Sequence, residues 1–269
     1  MLIETAYAKI NLALHVRKRR DDGYHELETL FAFVNEGDAI QADPSPQDLL
    51  TTVGEFAGQI SDPFGNIVSK SLAALPHGDG WKVTLEKNLP VAAGLGGGSA
   101  DAGAIFRMVE RSHGFPDDWH ERAAKLGADV PACVLSETCI GRGTGTDLEP
   151  VVNDLAGMPV LLVNPRIAVP TGDVFKAWDA EDRGALPAGT VREIALAGRN
   201  DLEAPAIALH RVIAEVLEAL HAANPLLARM SGSGATCFAL FEAHDAMLDA
   251  MEHLRFSRPD WWLLSGLLR

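Results

Sequence analysis

No lysine lies between Lys87 and Lys125, a gap that spans the densest glycine cluster of the 269-residue chain. A Walker loop ends in Gly-Lys-Ser/Thr, so that cluster is not one. Cysteine is scarce as well. Cys133, Cys139 and Cys237 show neither Cys-x-x-Cys spacing nor an adjoining histidine cluster, which excludes a zinc site or disulfide framework and leaves them as small buried hydrophobes. No apolar run approaches the ~18 residues of a membrane span. Met1 to Lys9 also lacks a basic region followed by an apolar stretch, so a cytoplasmic protein with no membrane partner is expected. Basic side chains number 23 against 37 acidic ones, a net charge of −14 that disfavours nucleic acid as a partner for the surface as a whole.

What the chain does have is the run Pro90, Val91, Ala92, Ala93, Gly94, Leu95, Gly96, Gly97, Gly98, Ser99 and Ala100. Glycines here let the backbone approach a ligand closely. Ser99 and Asp101 are expected to open a helix, whose first N–H groups have no intrahelical partners and whose dipole favours an anion, a phosphate above all. A dinucleotide fingerprint needs glycine at the sixth position from Gly94, where Ser99 stands. A plain surface loop before a well-capped helix remains the alternative. Since the expected ligands are anions in an acidic protein, a locally positive cleft is predicted, with Lys9, Lys87 and Arg17 to Arg20 as its candidates. That arginine-rich run, followed at once by Asp21 and Asp22, also suits a solvated hairpin tip.

Periodicity outlines the elements. Ile10, Leu12, Leu14 and Val16 alternate with Lys9, Asn11, Ala13 and His15, the pattern of a half-buried strand with Lys9 and Asn11 on one face. Asp21-Asp22-Gly23 supplies a turn before a second strand over Leu27 to Val34. Trp81, Val83 and Leu85 alternate again ahead of the glycine loop. Ala102, Ile105, Phe106 and Val109 form a helical stripe after it, and a helix over Trp119 to Leu126 is expected to stop at Gly127. Further along, the spacing predicts a strand over Pro159 to Val163, one long helix over Pro205 to Ala222, a strand over Ala235 to Phe241 and a helix over His244 to Leu254. In that last helix Met247, Leu248, Met251 and Leu254 are expected to face inward. Asp179 to Ala188 reads as a surface loop. Strands and helices cluster without regular βαβ alternation, so the class is α+β.

The loop Pro90 to Ser99, with A-K-I-N-L-A-L-H-V at Ala8 to Val16, D-G-Y-H-E-L at Asp22 to Leu27, L-G-A-D-V-P at Leu126 to Pro131 and S-G-S-G-A-T-C-F at Ser231 to Phe238, resembles the small-molecule kinase family of galactokinase, homoserine kinase, mevalonate kinase and phosphomevalonate kinase. That resemblance implies two halves, 1–148 and 149–269. The first is the ATP-binding half of the ribosomal S5 domain 2 type, and the second is ferredoxin-like and on the substrate side, with the active site in the cleft between them. It implies ATP with Mg²⁺ as cofactors and transfer of a phosphoryl group to an alcohol. Within the family, the set is most similar to the branch whose acceptor is a cytidine diphosphate-linked methylerythritol, phosphorylated on its 2-hydroxyl on the non-mevalonate route to isoprenoids. A monomer or homodimer is expected.

By the same resemblance Lys9 and Asp129 are the catalytic pair, with Asp129 orienting the acceptor hydroxyl and taking its proton. Asn66 and Lys87 join the glycine loop on the nucleotide side, and Asn11, Tyr24, His25 and Phe175 hold the cytidine end. Mg²⁺ is expected to come with the nucleotide near Ser99, with no dedicated carboxylate cage. Each residue has a plainer alternative when taken alone: Lys9 as a solubility charge, Asp129 as a turn cap, Phe175 as core, His25 as surface. Another kinase of the family, for homoserine or mevalonate, and a non-catalytic nucleotide- or RNA-binding module are the rival readings. The Gly23-Tyr24-His25 segment suits a nucleobase better than a small aliphatic acid, and retained Lys9 and Asp129 speak for catalysis. Ala92 and Ala93 stand where glycines are frequent in the family.

Overall fold

The computed structural model describes residues 1–60 and 66–269, and the chain divides into two compact units that interleave along the sequence. The first comprises Met1–Lys9, Glu36–Val91 and Gly96–Ser136, the second Ile10–Asn35, Ala92–Leu95 and Glu137–Arg269. Strands β1 (Leu2–Arg19) and β2 (His25–Ser45) contribute residues to each, and they pair with one another around a turn in which Gly23 takes a φ of 85°. Both strands are longer than the patterned stretches that predicted them. The alternation in β1 sorts its side chains as expected, but Lys9 to Val16 are buried on both faces, not half-buried. The polar face is covered because its groups find partners inside: Lys9 pairs with Asp129, Asn11 donates to Thr29, and His15 bridges the Gly184 carbonyl and the Arg199 N–H.

In the first unit, β4 (Gly80–Glu86) runs antiparallel to the end of β2, from Ala39 opposite Glu86 to Ser45 opposite Gly80. It also runs parallel to β3 (Leu49–Val53). The expected inward residues of β4, Trp81, Val83 and Leu85, are buried. The unit also carries the α-helices α1 (Ile67–Ala74), α2 (Gly97–His113), α3 (Trp119–Leu126) and α4 (Val130–Leu135). The predicted stripe Ala102, Ile105, Phe106 and Val109 is fully buried along α2, and truncating such a phenylalanine to alanine costs roughly 3–5 kcal/mol. α2 begins two residues before Ser99, with Gly96 as its N-cap. Helices α2 and α4 touch backbone to backbone, since a Cβ on Gly103 would lie 2.4 Å from the Cys133 carbonyl oxygen.

In the second unit, β5 (Cys139–Gly143) pairs with the start of β2 and with β6 (Asp147–Pro150). A separate antiparallel sheet is built from β7 (Pro159–Asn164), β8 (Leu227–Met230), β9 (Cys237–Leu240) and β10 (Trp262–Leu267), in the order β10-β7-β9-β8. Helices α5 (Thr171–Ala177), α6 (Val191–Ala197), α7 (Glu203–Leu209), α8 (Val212–His221) and α9 (His244–Ser257) belong to this unit. Its core joins Leu161 and Val163 of β7 to Ile213, Val216 and Leu220 of α8 and Met247 and Leu254 of α9. The single long helix expected over Pro205 to Ala222 is two, α7 and α8, broken at His210, whose φ of −139° and ψ of 85° leave the helical region. Ala208, Leu209 and Arg211 are exposed there, so no inward residue holds the chain helical across the join. β9 is shorter than predicted, and Leu248 is 42% exposed where Ala250 takes the inward place. Asp179 to Ala188 is irregular, as expected, and all three cysteines are free and buried. Among the described residues no helix is long and apolar enough to cross a membrane.

Candidate active site

Lys9 leaves β1 with its side chain 5% exposed and its Nζ 3.0 Å from Asp129 Oδ2. Asp129 comes from the short link in which α3 ends at Gly127 and α4 begins at Val130, with Pro131 in its first turn. It holds the N-cap position of α4, yet its carboxylate makes no capping bond to the helix. The carboxylate is turned to Lys9 instead, and it remains a third exposed. A buried ammonium is thus matched by an acidic group that a ligand can still reach.

The glycine loop runs over this pair. Gly96 adopts a φ of 61°, and a Cβ there would sit 3.0 Å from Lys9 Cε and 3.7 Å from Asp129 Oδ2. Ala100 donates the first α-helical hydrogen bond back to the Gly96 carbonyl, at 2.7 Å. The N–H groups of Gly97, Gly98 and Ser99 precede it, at the positive end of a 17-residue helix. An anion held there would lie beside both Lys9 and Asp129. Ser99 borders the link to α4, its Oγ 3.9 Å from where a Gly127 Cβ would stand.

On the nucleotide-side candidates, Asn66 caps α1 by accepting from the Val68 N–H at 2.8 Å, and Ile67 Cγ2 lies 3.6 Å from the Cβ position of Gly98. Lys87 is 2% exposed. Its ammonium binds the carboxylates of Asp38 and Asp101, and a Cβ on Gly97 would come 3.1 Å from it. Burial works against that charge, but Asp101 and Asp38 overcome it and raise the Lys87 pKa. Burial pushes the Asp101 carboxyl up to about 8, with Lys87 opposing and Asp38 adding to the rise.

In the second unit the first part of the loop is stapled to the Ser231–Gly234 turn. Ser231 Oγ donates to the Gly94 carbonyl at 2.8 Å and accepts the Asn11 N–H, and a Cβ on Gly94 would fall 2.2 Å from the Ser231 carbonyl oxygen. The Thr236 N–H donates to Ala93, Val169 to Ala92, and Ala92 itself takes a φ of 53°. Val91 donates its N–H to Gln59 Oε1 within the first unit. Pro90 and Leu95 are buried.

Of the cytidine-side candidates, His25 and Phe175 meet with ring centroids 4.7 Å apart. His25 is 8% exposed, and its pKa is lowered by burial and then by Arg19, which keeps the imidazole neutral at pH 7. Tyr24 follows Gly23 at the hairpin tip and is 63% exposed. Asn11 is buried and donates from Nδ2 to Thr29 Oγ1. In the arginine-rich run Arg17 is paired with Glu28 and Asp182, and Arg20 with Asp22 and Glu26.

Two participants escaped the sequence reading. Asp38 shares the inward phase of Ile40 and Ala42 along β2, and a carboxylate at such a position was the available signal, whereas Trp178, whose ring meets His25 edge-on at 5.7 Å, stood just beyond Phe175 without a motif of its own. Among the described residues no group of three or more His, Cys, Asp or Glu is arranged to hold a metal ion.

Two family models match the chain, GHMP kinases N terminal domain over residues 66–137 and GHMP kinases C terminal over residues 184–255. A 4-diphosphocytidyl-2-C-methyl-D-erythritol kinase from Novosphingobium aromaticivorans is 68% identical over 100% of this chain and 93% of its own length. One from Erythrobacter litoralis is 60% identical, with each chain covered in full. The α+β, two-domain fold is shared with a crystal structure of 4-(cytidine 5'-diphospho)-2C-methyl-D-erythritol kinase, at a TM-score of 0.83, 33% identity and 99% coverage of both chains. Matched from end to end in sequence and in fold, the chain belongs to the GHMP kinase family, on its 4-diphosphocytidyl-2-C-methyl-D-erythritol kinase branch.

Proposed function

We propose that the protein transfers the γ-phosphoryl group of ATP to the 2-hydroxyl of 4-diphosphocytidyl-2-C-methyl-D-erythritol. The observation that carries this reading is the 3.0 Å contact between Lys9 and Asp129 directly beneath Gly96. Phosphoryl transfer needs positioning and charge neutralisation more than covalent help from the protein. The N–H groups at the start of α2 supply fixed donors for the polyphosphate, and Lys9 adds a cation where the γ-phosphoryl group would lie. Asp129 orients the acceptor hydroxyl and receives its proton. A carboxylate is a weak base for an alcohol, but the loose transition state lets that proton move late. Lys9 keeps Asp129 aimed while touching the transferred group.

Among the described residues Mg²⁺ has no dedicated carboxylate cage. Asp101 is committed to Lys87, so the ion would be held by the nucleotide's own oxygens, with the Ser99 hydroxyl and the Asp129 carboxylate as its protein neighbours. It would neutralise phosphate charge there.

For the acceptor, the neutral His25 ring offers one N–H donor and one bare nitrogen, the pattern a cytosine edge complements. Phe175 and the exposed Tyr24 offer faces for the base. The test is to supply the purified protein with ATP and Mg²⁺ and, in turn, the cytidine diphosphate-linked methylerythritol, mevalonate and homoserine. Phosphorylation of the first alone is expected. Transfer to either of the others in its place overturns the substrate, and ATP-independent RNA binding without transfer overturns the enzyme.

A further inference from the structure

Lys87 sits at the exit of β4, immediately before the glycine loop, and its backbone is fixed on both sides. Its N–H donates to Val53 at 2.7 Å, and its carbonyl accepts from Phe56 at 3.0 Å. Asp38, fully buried, grips the same segment. One of its carboxylate oxygens accepts the N–H groups of Asn88 and Leu89 at 2.5 and 2.8 Å, and the other takes the Lys87 ammonium. That ammonium also donates to Asp101 Oδ2 at 2.8 Å, on the far side of the loop in the second turn of α2. A single cation therefore ties the residues that enter the loop to the helix that leaves it, and it lies beneath Gly97.

Three buried ionisable groups are an expensive way to fill space, since apolar side chains of the same volume would stabilise the fold as well or better. Asp101 Oδ1 has no hydrogen-bond partner among the described residues, which adds to that cost. What such a network does supply is a fixed geometry. Resting on the nucleotide-binding reading above, we infer that Lys87, with Asp38 and Asp101, is a positioning device that presets the Gly97, Gly98 and Ser99 N–H groups for the polyphosphate, and that its ammonium acts through the loop and does not touch the nucleotide. Donors arranged before the ligand arrives bind it without the cost of ordering them.

The test is MgATP binding by calorimetric titration, without acceptor, on the intact chain and on Lys87→Met, Asp38→Asn and Asp101→Leu, the last because asparagine would still accept from Lys87 as a protonated Asp101 does. Each single variant is expected to bind MgATP about tenfold more weakly, and Lys87→Met/Asp38→Asn no more weakly than the worse single, because the two residues serve one network. Affinity for the cytidine diphosphate-linked acceptor should not move. If Lys87→Met loses affinity while folded Asp38→Asn and Asp101→Leu keep it, the ammonium contacts the nucleotide itself and the inference is wrong. Hydrogen exchange of the amides from Gly94 to Ala100 in the ligand-free variants gives a second readout. Faster exchange there, with α9 still protected, is expected, and unchanged exchange in Asp101→Leu overturns the inference even for a variant too unstable to titrate. An intact chain that binds MgATP but leaves the cytidine acceptor unphosphorylated sinks the substrate reading alone.

Discussion

Asp129 occupies the N-cap position of α4, yet its carboxylate lies 3.0 Å from Lys9 Nζ and caps no backbone N–H. Because it makes no cap bond, Asp129→Asn should leave α4 formed, while the thermal midpoint falls because the buried Lys9 ammonium loses its counter-ion. Turnover is a different matter, since the variant loses both the proton acceptor and the charge that holds Lys9. A fall in kcat of roughly 10²- to 10⁴-fold is expected. Lys9→Met should fall by a similar factor, and the double variant no further than the worse single, as for residues that act as one unit. Steady-state assays on folded variants decide it, and near-normal turnover in Asp129→Asn removes that residue from the chemistry.

Asp101 carries a pH signature. In the unfolded chain its carboxyl ionises near the ordinary 3.8, whereas in the folded protein burial holds the proton on to about 8. Between those values the folded state binds the extra proton, so the stability this group contributes is complete below its unfolded pKa and drains away as the pH rises toward 8. The slope is at most ~1.4 kcal/mol per pH unit for one proton. Thermal melts from pH 5 to 8 should show a falling midpoint in the natural chain and a flatter profile in Asp101→Asn. Parallel profiles would show that Asp101 is ionised in the folded state.

Much of the fold could be read in advance because it rests on periodicity. The stripe from Ala102 to Val109, the alternation of Trp81, Val83 and Leu85, and the Gly127 stop of α3 each record a one-dimensional rule that packing obeyed. The break at His210 could not be read, because the apolar spacing on its two sides is compatible with one helix or two, and only the absence of an inward partner over Ala208 to Arg211 decides between them. At the site, the Lys9–Asp129 contact joins residues 120 positions apart, and the motif order pointed to it where local pattern could not. Asp38 had no such signal. A single carboxylate on the inward face of β2 acquires its meaning only when Lys87 and Asp101 arrive from elsewhere in the chain.

His25 ties acceptor affinity to pH. Burial, and after it Arg19, lowers its pKa below the usual 6.5, so from pH 8 down to that value the ring stays neutral and keeps one acceptor nitrogen. Protonation at lower pH turns that acceptor into a donor. The KM for the cytidine diphosphate-linked acceptor should therefore stay flat down to at least pH 6.5 and rise only further into acid, while the KM for ATP stays level. His25→Ala should raise the acceptor KM about 10- to 100-fold at pH 7.5 and abolish the acid limb. If the limb persists in His25→Ala, another group is responsible for it.

Gly96 is the position where backbone strain and a steric clash can be separated. An alanine there must accept a φ of 61° and place its Cβ 3.0 Å from Lys9 Cε, so it both strains the loop and pushes the ammonium away from Asp129. Gly114, at the other end of α2, has nothing within 4 Å of its Cβ position, and its φ of 81° with ψ of 164° lies in a region that only glycine adopts readily. Left-handed backbone costs an alanine ~1–2 kcal/mol, so Gly96→Ala should show a stability loss of that order in denaturant titrations, and Gly114→Ala, with the more restricted backbone and no clash, at least as much. Only Gly96→Ala should also lose activity, by tenfold or more in kcat, a displacement of less than an ångström at the reacting groups being enough. Equal activity in the two variants would mean that the loop yields without moving Lys9, and that the close approach of Gly96 to the Lys9–Asp129 pair does not govern the chemistry.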